Sequence, residues 1–223
     1  VEKQGKQLGL HAEKKSLLTR AAALICLTGP RSRYDARWLT LLKDDAEDCG
    51  YSIEPGLIAD ALAEVLGEEA IAGDKKKICP IYPDPLGEAF AVFVLGKKQE
   101  LVMQTLHRVT EVGRTEAWTN LLRAAVDLFE IEEFETLECW LKALVQGKPR
   151  DELSLVESLL PRQSVALAGF GLEIERGLLD SLSRDSSFDA ERARVFNNLG
   201  LSYSGLGKRQ EALDPARRAV EIR

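Results

Sequence analysis

Only four cysteines, two histidines, one methionine and 6% aromatic residues occur in this 223-residue chain, and each scarcity closes off a class of protein. Cys26, Cys49, Cys79 and Cys139 lie 23, 30 and 60 residues apart with no C-x-x-C pair, and His11 and His107 are the only nitrogen ligands, so neither a zinc site nor a disulfide scaffold fits. Three of the four cysteines fall in or at the end of apolar helical patterns, where a thiol acts as a small buried hydrophobe. A reducing, cytoplasmic compartment is expected. No long apolar run exists: Ala21 to Leu27 and Ala89 to Leu95 fall far short of the roughly 20 residues that span a bilayer, so no membrane partner is expected. A signal-peptide pattern is also missing, and the chain opens on Val1 rather than Met, so a natural N-terminus further upstream is expected.

Reactive motifs are equally scarce. No G-x-x-x-x-G-K-[ST] phosphate loop occurs; the nearest approach, Ser204-Gly205-Leu206-Gly207-Lys208-Arg209, lacks the first glycine and the hydroxyl after the lysine. No serine or cysteine sits in a nucleophile turn such as G-x-S-x-G. His107 lies on a helix that also presents Leu101, Val102 and Val109, which reads as a structural histidine, and nothing beside Glu132, Glu133 and Glu135 would raise one carboxyl selectively. No catalytic residue, metal or cofactor is therefore assigned.

What is present is helix. With 45% hydrophobic and 30% charged residues, the composition is that of an ordinary globular chain of one or two domains. Leu17, Ala21, Leu24 and Thr28 form an apolar stripe that stops at Gly29-Pro30. A second helix opens at Asp35 as N-cap, buries Trp38, Leu41, Leu42, Ala46 and Cys49, exposes Lys43, Asp44, Glu47 and Asp48, and ends at Gly50. A third runs from Pro55 through Leu57, Ile58, Ala61, Leu62 and Val65 to Gly67. Ile71, Ile78, Ile81 and Tyr82 then flank a Gly73-Asp74 turn and the triplet Lys75, Lys76 and Lys77, which predicts a small hairpin or wing. Further helices are predicted near 85–95, 98–112, 115–131, 134–146, 151–160, 163–182, 189–205 and 208–222. Their regular starts and their stripes, such as Trp118, Leu121, Leu122, Ala125 and Phe129 or Leu137, Trp140, Leu141 and Leu144, suggest stacked hairpins rather than a closed bundle.

The C-terminal segment is the most informative. Phe196, Leu199, Gly200, Tyr203, Gly207, Ala212 and Ala219 stand at the offsets of a tetratricopeptide repeat, large residues filling the groove between two helices and small ones allowing close approach. Ala216 departs from the pattern, where an aromatic is usual, and Pro215 falls inside the second helix. The expected fold is all-α: a winged-helix-like module over 1–95, an irregular helix-hairpin solenoid over 96–188, and a tetratricopeptide repeat over 189–223, the first of an array. On the concave face of that repeat Arg194, Asn197, Asn198, Leu201 and Ser204 are the candidate partner-binding residues; Leu201 departs from the pattern that clamps peptide carboxylates, which favours a generic protein or peptide ligand.

The order of a helical module, the segment Tyr82-Pro83-Asp84-Pro85-Leu86-Gly87-Glu88-Ala89-Phe90, a run of helix pairs, Asn197-Asn198-Leu199-Gly200 and Leu206-Gly207-Lys208-Arg209-Gln210-Glu211-Ala212-Leu213 resembles the C-terminal half of bacterial STAND, or NLR-like, signal-transduction ATPases. That resemblance implies a winged helix that holds an ATPase domain of the same parent chain at rest and a repeat superhelix that senses a trigger. A free-standing tetratricopeptide adaptor or co-chaperone is the alternative. A DNA-binding regulator is disfavoured by charge, because nine acids and no Lys or Arg lie between Asp44 and Gly73, where a recognition helix would meet phosphate. Residues 1–43 carry a net +6 and residues 111–160 a net −6, an asymmetry that suits docking between or within chains.

Overall fold

A computed structural model describes residues 12–70, 76–81, 84–97, 99–130, 133–161, 164–182 and 186–222. The Gly73-Asp74 turn, Lys75, Tyr82, Pro83, His11 and Glu132 lie outside them, as does the start of the basic N-terminal segment. Among the described residues the chain is predominantly helical, with eleven α-helices and a single two-stranded sheet. It divides into two compact units, Val1–Ala124 and Ala125–Arg223.

The first unit is built around α1 (Ala12–Thr28). From Ala21 to Thr28 every residue is buried, so the stripe read from the sequence is in fact a whole circumference. A helix apolar all round belongs inside a layer of others, and α1 packs on α3 (Pro55–Leu66), α4 (Asp84–Gly96) and α5 (Gln99–Gly113). Its last carbonyls, which have no partner within the helix, are taken up from outside: the Asn120 side-chain amide donates to the carbonyls of Cys26 and Leu27, at 3.3 and 2.9 Å, and Arg31 Nη2 to that of Thr28. Asn120 belongs to α6 (Thr115–Asp127).

Asp35 caps α2 (Ala36–Asp48), accepting from the backbone N–H groups of Arg37 and Trp38, as its N-cap position predicts. Trp38, Leu41, Leu42 and Ala46 are buried, and so is Asp45; Cys49 is only half-buried. In α3, Ile58, Ala59, Leu62 and Ala63 face inward, whereas Leu57 is exposed. Strands β1 (Glu68–Ala70) and β2 (Lys76–Ile78) pair antiparallel, Glu68 opposite Ile78. Ile78 also exchanges backbone hydrogen bonds with Arg31, which ties the hairpin to the loop after α1.

The second unit holds α7 (Glu133–Val145), α8 (Arg150–Leu159), α9 (Ala168–Ser181), a 3-10 turn (Ser186–Phe188), α10 (Asp189–Gly205) and α11 (Arg209–Glu221). Leu137, Trp140, Leu141 and Leu144 line the inner face of α7, as their spacing predicts, while Phe129 stays partly exposed, edge-on to Phe134. Cys139 is exposed rather than buried. Helix α9 packs against α7, α8 and α10, and α10 against α11. The turn between the last two passes through Gly207 at φ 72°, a left-handed conformation that glycine adopts without strain.

Candidate ligand-binding face

Helix α10 carries all five residues singled out from the sequence, and its surroundings sort them into two sets. Arg194 and Asn198, the first set, share one face of the helix with Ser202, each four residues after the last, and that face meets acids from the preceding helices. Arg194 Nη1 bonds both carboxylate oxygens of Glu157 on α8, and Asn198 Nδ2 donates to Glu157 Oε1 at 2.7 Å. Hydrogen bonding to Glu157 holds the Arg194 guanidinium above its usual value, against the opposing effect of burial. Arg194 and Asn198 are thus engaged within the chain. Asn197, Leu201 and Ser204 form the second set; they are exposed, Leu201 by 44%.

The far side of α10 is closed by α11. Leu199 and Gly200 are buried, and a Cβ placed on Gly200 would stand 3.4 Å from the Ala212 carbonyl oxygen and 3.8 Å from the Ala216 methyl. Phe196 and Tyr203, the large residues of the motif, are half-buried: the Arg218 guanidinium lies 5.7 Å from the Phe196 ring centroid, and Arg176 Nη2 donates to the Tyr203 hydroxyl at 3.1 Å. The open face of α10 is therefore held from both flanks, which fixes its side chains without covering them.

Sequence reading missed Glu157, Glu175 and Ser202. Glu175 is 3% exposed on α9, accepts a hydrogen bond from the Ser202 hydroxyl at 3.0 Å through Oε1, and has no partner for Oε2. Burial pushes this carboxyl up, to about 8, with the field of Glu157 adding to the effect and the Ser202 hydrogen bond opposing it. The signal was available: Glu175 follows Gly171 by four residues and precedes Leu178 by three, on the stripe that also carries Ile174.

The first unit has a cleft of about 180 Å³ between Pro30, Pro80, Gly87 and Asn120. Its charged groups are committed to structure, Arg123 pairing with buried Glu88 and donating to Asn120 Oδ1 at 3.2 Å. His107 is half-buried on α5, its carbonyl accepting from the Thr110 hydroxyl. Among the described residues no cluster of three or more His, Cys, Asp or Glu is arranged to hold a metal ion, and no helix is long and apolar enough to cross a membrane. No protein family, curated protein or solved structure matches the chain.

Proposed function

We propose that this chain is a non-catalytic, protein-sensing regulatory segment of a cytoplasmic STAND-type signalling ATPase, acting through protein–protein contact. In this reading α1–α4 with the β1–β2 hairpin, over 1–95, make the winged-helix-like module, α5–α9 an irregular solenoid, and α10 with α11 a tetratricopeptide repeat. The close approach at Gly200 and the helical character of the described chain support that assignment. The single observation that carries the function is the state of α10: anchored through Arg194 and Asn198 on one flank and by α11 on the other, it leaves Asn197, Leu201 and Ser204 open to solvent. A rigid face with an exposed leucine between small polar groups binds a peptide or protein surface at little ordering cost.

The test is a peptide library presented to the full chain. Ligands so selected should lose affinity by at least about tenfold, or about 1.4 kcal/mol, on Leu201→Asp, with an unchanged melting temperature; binders indifferent to Leu201→Asp and Asn197→Ala would overturn the reading. Coding sequence upstream of Val1 tests the parent protein separately, through the presence of a G-x-x-x-x-G-K-[ST] loop.

A further inference from the structure

We propose that Glu175 makes the α9–α10 seam a proton-held joint: its neutral carboxyl closes the seam, and loss of the proton loosens it. The inference rests on packing in the second unit and does not depend on the ligand-binding reading. The seam is unusually tight for one that contains an acid. A Cβ on Gly171 would stand 3.0 Å from Ser202 Oγ, and one on Gly205 would stand 3.2 Å from the Ala168 methyl, so the two backbones meet through small residues in the two turns of α9 that lead into Glu175. The carboxyl is 3% exposed and receives one hydrogen bond, from Ser202, while Oε2 receives none. A carboxylate buried in this way has lost its water and gained one neutral donor, which does not offset the desolvation of a full charge.

Among the described residues no cation relieves it. From α8 the group that faces Glu175 is Glu157, a second acid, and the positive charge beside it, Arg194, is already bonded to both Glu157 oxygens. From α10 comes the Ser202 hydroxyl. From α7, Glu138 and Lys142 stand at Gly169, six residues away on α9, and pair with each other at 2.9 Å. The cation next in sequence, Arg176, turns outward to Glu173 and to the Tyr203 hydroxyl. The neutral form is the one this environment accepts, and the carboxyl accordingly titrates near 8 instead of at its ordinary value.

The sign follows. A folded-state value raised above that of the open chain means that the closed seam binds the extra proton, so its stability is greatest below the ordinary carboxyl range and declines until the pH passes about 8. Amide hydrogen exchange of the full chain, corrected for the intrinsic pH dependence, reads this directly. Protection in peptides covering 168–181 and 189–205 should fall roughly thirtyfold between about pH 6.5 and about pH 9 in the native protein. Glu175→Gln, neutral at every pH, should hold protection constant. Ser202→Ala, which removes the donor that favours the charged form, should move the loss to higher pH. Constant protection in the native chain, or an equal loss in Glu175→Gln, would overturn the proposal. Should the Gln variant not fold, carbon NMR of labelled glutamate in the native chain decides: a Glu175 midpoint in the ordinary carboxyl range refutes the joint, and one near 8 supports it.

Discussion

Arg20, Asp45 and Thr105 meet inside the first unit, each less than 5% exposed. Arg20 bonds Asp45 through Nε and Nη2, at 2.9 and 2.6 Å, and Thr105 Oγ1 completes the triangle at 3.3 Å from Nη2 and 3.2 Å from Asp45 Oδ1. Burial opposes the charge on Arg20, but the hydrogen bonds and the field of Asp45 prevail and hold the guanidinium above its usual value. Because both ions are desolvated and each is the other's charge partner, removing one strands the other. Asp45→Ala is expected to cost about 3 to 5 kcal/mol in chemical denaturation, and a midpoint close to that of the native protein would show that water replaces the carboxylate. This triangle was only half legible in the sequence. Asp45 stands on the stripe of Trp38, Leu41, Leu42 and Cys49, so its inward direction follows from helical spacing, yet its partners lie 25 and 60 residues away and no local signal connects them. Phe196 errs the other way: its place in the repeat motif suggests full burial, whereas it is half-covered by Arg218.

At the level of elements, what could be read was whatever had a local cause. Helix α2 begins where Asp35 can cap it, and α10 and α11 fall within a residue of the expected 189–205 and 208–222 because Gly207 punctuates them. Helix α9 begins at Ala168 rather than near 163; its N-cap, Leu167, offers no side-chain hydrogen bond, so the boundary is set by packing and leaves no mark in the sequence. The cap at α2 gives a measurable quantity: Asp35→Ala should lower stability by about 1 kcal/mol, and Asp35→Asn, which keeps an acceptor, should lower it less. Pro215 is the opposite case. It lies in the interior of α11, buried, where it removes a helical hydrogen bond and costs about 3 kcal/mol relative to alanine. Part of that is returned by the apolar contact the ring makes, so Pro215→Ala should raise the melting temperature with a net gain of about 1 to 2 kcal/mol. A fall instead would mean that the ring's packing against its neighbours outweighs the missing bond.

Across the whole molecule the net charge is −6, and its arrangement decides among partners more sharply than its sum. The acidic stretch after Asp44 is partly neutralised where it touches the fold: Arg33 pairs with Glu68 and Asp60, holding the Glu68 carboxyl below its ordinary value through the hydrogen bond, and Arg108 takes Asp48 and Asp44. These arginines are thereby withdrawn from any phosphate. The charged groups that α3 and its flanks then present to solvent are Glu54, Asp60, Glu64 and Glu69, all acids, on the helix that a DNA-binding helix–wing module would send into the major groove. Sequence-independent affinity comes from cations that displace counterions, and Lys76 with Lys77 on β2 supplies too few to reverse four exposed acids. Duplex DNA should therefore show no retardation by the full chain in gel shifts at about 150 mM salt, and lowering the salt should restore little, since repulsion between like charges grows as screening weakens. Retention that strengthens steeply at low salt would require a basic surface that α3 does not provide, and would favour a nucleic-acid partner over the protein partner proposed above.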